Sequence, residues 1–370
     1  SGSLESSPDA WSPRHSHMPD TTTIPDALAV VIGPVDQRLR AVLEDERRRW
    51  SDIDPALDEP FDALAELVLV GGKRLRPAFF HWAHVGAGGP PFAPDALDAA
   101  AAIEMLHAFA LAHDDIMDAS LSRRGHPTVH VRFADAHRER QWQGDPDRFG
   151  EAVAILVGDL AHVCADHLMV ERSPDIAQIW DELRLEVNVG QYLDVLAGAV
   201  GSASEDTARR ILEYKTGRYS VQRPLHLGAA LADAYERLGP ALTAYGRPVG
   251  VAFQLRDDLL GAFGDSSVTG KPVGDDLREG KPTPLLASAR SAATPSQSQI
   301  LLRAGNRDMS DVELSELQQV MVDTGAVDTI ESEIAALTDE AMEALSRMSL
   351  AGDADRALAE LAHFVAFRAH

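Results

Sequence analysis

The chain has 370 residues, of which 45% are hydrophobic and only 6% aromatic, and it carries a formal net charge of −24. Such an acidic chain offers no basic surface to a nucleic acid and would be repelled by an anionic membrane. Long runs of Ala, Leu and Glu with few aromatic residues favour α-helices over a β-sandwich or barrel.

The first 24 residues are polar, and we expect them to form a disordered tail outside the fold. Residues 25–370 are predicted to form one all-α domain, because no segment alternates with the period of two that strands require. No stretch reaches the ~18 uncharged apolar residues of a membrane span, so stable membrane insertion is not expected. The one cysteine, Cys164, lies in an apolar run and is predicted to be a buried thiol in a reducing, cytoplasmic compartment.

Helices are predicted where apolar residues recur with a period near 3.6, and also over 96–119, which is nearly all apolar and is expected to be buried on most sides. In chain order these segments are residues 31–50, 61–70, 96–119, 149–170, 176–200, 242–263, 311–322 and 329–348. A further helix is expected to begin at Ser204, which is followed by two acidic residues.

Lysine is rare, since only four of the 34 basic residues are lysines, and each has a glycine close by. They are Lys73, Lys215, Lys271 and Lys281. Lysine is a compact point charge for phosphate oxygens, and glycine lets a backbone N–H approach the same anion. The alternative is that arginine-rich codon usage left four lysines by chance, but that does not account for their common setting. We therefore favour anion binding.

An acidic cluster at the end of the long apolar helix is the strongest chemical signal. Asp114 and Asp118 are spaced i and i+4, which places them about 5–6 Å apart on one helix face. Two like charges at that distance repel unless a cation lies between them. Mg²⁺ typically takes one or two carboxylates together with waters and phosphate oxygens, and the following Arg123 and Arg124 suit phosphate contacts.

A second cluster repeats this pattern near the end of the helix predicted over 242–263. Gln254, Asp257, Asp258 and Gly261 are spaced i, i+3, i+4 and i+7 and share one face. Two acidic faces opposed across a helical bundle could hold several metal ions and a diphosphate. The alternative is a pair of solvated acidic faces, which is common in a chain this acidic.

Together these motifs resemble the trans-polyprenyl diphosphate synthase family over nearly the whole chain from about Pro25. The resemblance is carried by Gly71-Gly72-Lys73-Arg74-Leu75-Arg76-Pro77, Asp114-Asp115-x-x-Asp118 with Arg123-Arg124-Gly125, Gly158-Asp159, Gly190-Gln191, Lys215-Thr216 and Phe253-Gln254-x-x-Asp257-Asp258. It implies an antiparallel helical bundle around a deep central cavity, usually a homodimer, that uses two or three Mg²⁺ ions per site. It also implies condensation of isopentenyl diphosphate with an allylic diphosphate.

The resemblance assigns roles to individual residues. Metal binding would fall to Asp114, Asp115, Asp118, Asp257 and Asp258. Catalysis would depend on Asp114, Asp118, Asp257 and Lys215. Isopentenyl diphosphate would be bound by Lys73, Arg76, His107 and Arg124. The allylic diphosphate would be bound by Arg123, Lys215, Thr216, Gln254 and Lys271.

Product length is implied by the residues just before the first cluster. Phe109 and Ala110 would form the floor of the product cavity, and one aromatic floor residue resembles the geranylgeranyl (C20) producers, with farnesyl (C15) as the alternative. The family pattern breaks at Gly261, where a third aspartate is usual, and Asp265 or water would have to replace it. Two rival functions follow: a terpene cyclase of the same fold, and a non-catalytic subunit of a heteromeric synthase.

Overall fold

The computed structural model describes residues 24–169, 173–201, 204–264 and 273–368. Helices dominate, and within these ranges the strands amount to one short antiparallel pair, β1 (Ser122–Arg123) and β2 (His126–Pro127). The all-α prediction is therefore confirmed. The expected N-terminal tail lies outside the described residues apart from Ile24, and the single-domain organisation stays a prediction.

The N-terminal part of the chain forms seven long helices. They are α1 (Asp26–Ser51), α2 (Asp58–Leu69), α3 (Leu75–Gly86), α4 (Pro94–Met117), α5 (Val129–Glu139), α6 (Pro146–Leu168) and α7 (Pro174–Val200), with a 3₁₀ turn at Pro55–Leu57.

The next stretch is a nearly continuous helical rod with an unusual centre. Ser204 caps α8 (Glu205–Ile211) by accepting a hydrogen bond from the backbone N–H of Thr207 at 3.2 Å, as the sequence predicted. A π-helix (Leu212–Gln222) follows, and it leads directly into α9 (Arg223–Leu231). The remaining helices are α10 (Tyr235–Phe263), α11 (Asp275–Glu279), α12 (Pro284–Ala292), α13 (Pro295–Leu301), α14 (Asp311–Asp323), α15 (Ala326–Ser346) and α16 (Ala354–Phe367).

Helix α4 lies in the centre of the larger hydrophobic cluster and packs against α6, α3, α1 and α2. By length and composition alone it could cross a membrane, but 61% of its apolar window is buried inside the protein. Burial on most sides explains this apolar sequence, because a helix that is hydrophobic all round belongs to a core as readily as to a membrane. The end of α4 delivers Asp114 and Asp118 to one side of the bundle.

Helix α10 joins the two hydrophobic clusters. Tyr245 and Phe253 belong to the larger cluster, whereas Leu255 and Leu259 belong to a smaller one formed with the helices from α11 to α15. The second acidic motif therefore lies where the two clusters meet.

Several helices were missed by periodicity, among them α3 and α16. In α3 the residues Ala78, Phe79, Phe80 and Ala83 are all buried, so the helix lacks a polar face that would reveal a period. The Gly71-Gly72 pair and Pro77 also punctuate the segment as a loop would.

The π-helix touches α10 backbone to backbone. A Cβ atom at Gly250 would lie 2.5 Å from the carbonyl oxygen of Gly217, which is closer than real Cβ contacts come. Gly250→Ala should therefore reduce the free energy of unfolding by about 1–3 kcal/mol, because overpacking forces the two helices apart. Gly198→Ala is the control, since a Cβ there meets nothing within 4 Å, and it should stabilise α7 by about 0.5–1 kcal/mol. Denaturant unfolding measures both, and equal effects would contradict the close contact.

Candidate active site

The two acidic motifs face one cavity of about 280 Å³ between α4, α7, the π-helix and α10. Its charged lining residues are Arg76, Asp114, Asp194, Lys215, Asp257, Asp258, Asp276 and Lys281. Thr216, Gln254, His107 and Ala110 also line it. The structure therefore brings together most of the residues that the sequence singled out, Lys281 among them, and it adds Asp194 and Asp276.

Asp114 is held by two donors from separate elements. Its Oδ1 accepts hydrogen bonds from Lys215 Nζ at 3.0 Å and from Gln191 Nε2 at 2.8 Å. Lys215 Nζ also donates to Asp194 at 2.6 Å, so one ammonium bridges α4 and α7. Although burial alone would raise the pKa of Asp114, Lys215 and Lys281 lower it to about 2, which keeps the group ionised.

Lys281 plays the corresponding part on the other side of the cavity. Its Nζ lies 3.2 Å from Asp276, 3.1 Å from Glu279 and 3.7 Å from Asp118. Burial and the neighbouring charge of Asp114 nevertheless raise the pKa of Asp118 to about 6. Gly280-Lys281 was one of the glycine–lysine pairs in the sequence, but it was not assigned a role in the site.

The second motif supplies one half-buried and one buried carboxylate. Asp257 pairs with Arg368, a residue near the end of the described chain that the sequence did not suggest. Asp258 is buried and accepts a hydrogen bond from Gln254 Nε2 at 2.7 Å. Burial raises the pKa of Asp258 to about 8, and the charges of Asp276 and Asp257 act in the same direction.

Asp115 does not reach this cavity. Its carboxylate is buried and accepts three hydrogen bonds from Arg123, at 2.7 Å from Nη2 and 3.0 Å from Nε to each oxygen. Asp115 and Arg123 line a separate, smaller pocket, and the metal-binding role of Asp115 stays a prediction. Arg123 Nη2 comes no closer than 3.9 Å to Asp114, so this pair positions the end of α4.

The basic loop after α2 is anchored by its arginine. Arg74 adopts a left-handed conformation (φ 56°) and binds Asp36 at 2.6 Å and Glu104 at 2.8 Å. This anchor sets the direction of Lys73 and Arg76 on either side. Burial and the neighbouring Arg368 lower the pKa of Lys73 to about 8.

Two of the predicted isopentenyl diphosphate residues, Arg76 and His107, line the cavity beside Tyr219. Arg76 stacks its guanidinium 4.7 Å from the ring centroid of Tyr219, and His107 lies 6.1 Å from the same ring. Arg76 Nε and His107 Nδ1 are buried without a hydrogen-bond partner, as expected of groups that await an anion. Arg124 instead donates to the carbonyl of Val70 at 2.5 Å.

Several expected residues do not line the cavity, namely Lys73, Phe109, Asp115, Asp118, Arg123 and Arg124. Lys271 and Asp265 lie outside the described residues. The ring of Phe109 packs between His113 and His162, with ring centroids 4.7 Å and 4.8 Å apart, and so points to α6. Ala110 and Leu111 line the cavity.

The donor set fits a cation that is shared with a substrate. In the described part of the chain, no three His, Cys, Asp or Glu side chains converge closely enough to hold a metal by themselves. Mg²⁺ does not need three, because it commonly keeps waters and binds substrate phosphates beside one or two carboxylates. Three carboxylates, Asp114, Asp118 and Asp257, concentrate negative charge in this region. Each is paired with a cationic side chain, and a metal ion would compete with that cation for the carboxylate.

Comparison with known proteins agrees with this geometry. The polyprenyl synthetase profile matches residues 57–321. The chain is 32% identical to geranylfarnesyl diphosphate synthase from Aeropyrum pernix, over 77% of this chain and 86% of that protein. It is 30% identical to (2E,6E)-farnesyl diphosphate synthase from Mycobacterium tuberculosis, over 80% of each.

A solved structure is similar over almost its full length. Geranylgeranyl pyrophosphate synthase from Corynebacterium glutamicum, complexed with isoprenyl diphosphate and magnesium, superposes with a TM-score of 0.88 and 36% identity, covering 92% of this chain and 99% of that one. The chain belongs to the polyprenyl synthetase family. It is a transferase, a short-chain trans-isoprenyl diphosphate synthase.

The raised pKa of Asp258 has a consequence for stability. The folded protein keeps a proton up to about pH 8, whereas the unfolded chain loses it near pH 3.8, so stability falls as the pH rises between these values. Asp258→Asn removes this proton linkage. We expect the loss of unfolding free energy between pH 5 and pH 8, measured in metal-free buffer, to shrink by at least ~1 kcal/mol in the variant. Exposed Asp328→Asn is the control, and identical pH dependence in all three proteins would refute the assignment.

Proposed function

We propose that this enzyme extends allylic diphosphates with isopentenyl diphosphate to geranylgeranyl diphosphate (C20), with farnesyl diphosphate (C15) as the shorter alternative. The observation that carries the proposal is the opposition of Asp114 on α4 and Asp257 on α10 across one cavity, with Lys215 between the helices. The cations Arg76 and Lys73 support the binding of a second diphosphate, which a terpene cyclase would not need.

Asp114, Asp118 and Asp257 would hold Mg²⁺ against the allylic diphosphate, with Asp258 behind them, and two or three ions per site are expected from the resemblance. Bound Mg²⁺ would supply electrostatic stabilisation of the diphosphate leaving group. Lys215, Thr216 and Gln254 line the cavity beside these carboxylates and would bind the same diphosphate. Lys271 and Arg123 were also predicted there, but Arg123 is committed to Asp115.

Isopentenyl diphosphate would be held by Lys73, Arg76 and His107, with Arg124 nearby. The allylic C–O bond breaks and its electron pair leaves with pyrophosphate. The double bond of isopentenyl diphosphate then forms the new C–C bond, and a proton is lost to the departing pyrophosphate. Burial, followed by the charge of Arg76, lowers the pKa of His107 well below its ordinary value, so a neutral His107 would orient rather than carry charge.

Purified protein incubated with Mg²⁺, isopentenyl diphosphate and dimethylallyl, geranyl or farnesyl diphosphate tests the proposal, with chromatography of the dephosphorylated products. We expect geranylgeraniol as the main product and none with excess EDTA. Product formed without isopentenyl diphosphate would indicate a cyclase. No product under any condition would indicate a non-catalytic subunit.

Product length should respond to the floor of the cavity. Ala110 lines the cavity, so Ala110→Phe should fill it and shift the main product to C15 or shorter. Phe109→Ala should lengthen the product, because the resemblance places this ring at the floor of the product cavity, where it stacks on His162 of α6. Phe133→Ala removes a ring on α5, outside the cavity, and serves as control. An unchanged product distribution in both floor variants would refute the floor assignment.

We also infer a homodimer formed through α6 and α7. Leu156 and Val163 on α6 are 60% and 66% exposed, one heptad apart. On α7 a stripe at helical spacing is exposed, namely Leu185, Val189, Tyr192 and Leu196. Asp166 joins the two helices through Trp180 and Arg184, each at 2.7 Å. Such a continuous apolar surface suits a second copy of the chain.

Leu156→Glu and Leu185→Glu should each weaken the dimer, because they bury a charge in the apolar interface. Val312→Glu on α14 replaces an equally exposed apolar residue and should leave the mass unchanged. Sedimentation of the three variants measures this, and a monomeric wild-type protein would contradict the dimer. The single thiol, Cys164, is buried as expected, and the cytoplasmic location stays a prediction.

A further inference from the structure

Gly261 stands at the position on α10 where the repeated acidic pattern would continue after Asp257 and Asp258. A Cβ atom built on Gly261 would lie 1.8 Å from Oδ2 of Asp276 and 2.6 Å from its Cγ. The Asp276 carboxylate therefore fills the space that a side chain at position 261 would occupy. Any residue other than glycine at 261 would displace this carboxylate.

Asp276 reaches this space from a separate element that is firmly placed. Helix α11 is bounded by Gly274 and Gly280, both in the left-handed conformation with φ of 69° and 71°. Leu277 is buried in the smaller hydrophobic cluster, and its carbonyl accepts the backbone N–H of Gly305 at 2.9 Å. The position of Asp276 is thus set by packing and does not depend on its own ion pair.

The Asp276 carboxylate also faces the cavity. It lines the cavity beside Asp257 and Asp258, and Lys281 Nζ lies 3.2 Å away. The same ammonium is 3.7 Å from Asp118 on α4. Asp276 therefore stands on the side of α10 that looks across to the first acidic cluster, where a carboxylate at 261 would also stand.

We propose that Asp276 provides the third carboxylate of the second acidic cluster from outside α10, and that residue 261 must be glycine to admit it. The inference rests on the proposed Mg²⁺–diphosphate site. It assigns a metal-site role to a residue fifteen positions further along the chain, in place of Asp265 or water. The alternative is that Asp276 serves only as an ion-pair partner of Lys281.

The test measures binding and needs no turnover. Inorganic pyrophosphate is titrated calorimetrically into the full-length protein at a series of Mg²⁺ concentrations, and the Mg²⁺ concentration that gives half-maximal affinity is recorded. Asp276→Ala should raise this concentration about tenfold, as loss of a metal-site carboxylate commonly does. Gly261→Asp alone should also impair binding, because two carboxylates then compete for one space.

The decisive variant is the double substitution Gly261→Asp with Asp276→Ala, which moves the carboxylate onto α10. It should return the Mg²⁺ requirement to within about threefold of the wild-type value, well inside the tenfold single-variant effect. Asp275→Ala, the adjacent acid outside the cavity lining, should behave like the wild type. Thermal unfolding in EDTA checks that every variant is folded and reports any loss of the Lys281 ion pair separately.

Three outcomes would overturn the inference while leaving the proposed site intact. The first is a wild-type Mg²⁺ requirement in Asp276→Ala. The second is a double variant whose Mg²⁺ requirement is as high as that of Asp276→Ala. The third is a raised Mg²⁺ requirement in Asp265→Asn instead. Absence of Mg²⁺-dependent pyrophosphate binding in the wild-type protein would overturn the proposed metal site itself.

Discussion

The ion pair between Asp114 and Lys215 is the interaction on which the active site depends. It brings an ionised carboxylate on α4 and an ammonium on the π-helix together inside the bundle, and Asp194 and Gln191 of α7 complete it. Buried charges are costly unless geometry and partners are nearly complete. The π-helix can approach α7 this closely because residue 190 is a glycine. A Cβ atom at that position would lie only 2.3 Å from the backbone nitrogen of Lys215. Backbone packing therefore makes the charge pairing possible.

The π-helix sets where its side chains point. Its wider turn is inserted between two ordinary helices, and such insertions are frequent at functional sites. Contact of Gly217 with Gly250 holds the segment against α10, while Tyr219 supports the guanidinium of Arg76. One short segment thus contributes Lys215 to the cavity and supports Arg76 through Tyr219.

Charge in the cavity is balanced by side chains that a diphosphate and its metal ions would engage. Lys215 and Lys281 each contact carboxylates of more than one element, and Arg368 pairs with Asp257. These cations offset the repulsion between the opposed carboxylates. In the proposed function, the same lysines would turn to the phosphate oxygens of a metal–diphosphate complex, and one set of ion pairs would replace another. Such an exchange limits the cost of keeping so many acids together.

Local rules were sufficient for the helical class, for most long helices and for the two acidic faces. Residues spaced i and i+4, such as Asp114 and Asp118, share a face of any α-helix. A serine followed by acidic residues, such as Ser204, is a typical helix start. Helix α3 escaped detection because burial on nearly all sides removes the amphipathic period. The same all-round burial explains why α4 has the hydropathy of a membrane span.

By itself, the sequence determined the helical class, the chemistry of the site and the family to which the chain belongs, because periodicity and motif spacing are local along the chain. Only the tertiary structure decided which charges meet. It turned Asp115 to Arg123 and away from the cavity, directed Phe109 to α6, and seated Asp276 in the space left by Gly261. These choices depend on contacts between elements far apart in sequence. A residue's helix face can be read from its neighbours in the chain, but its partner across the cavity is set by packing.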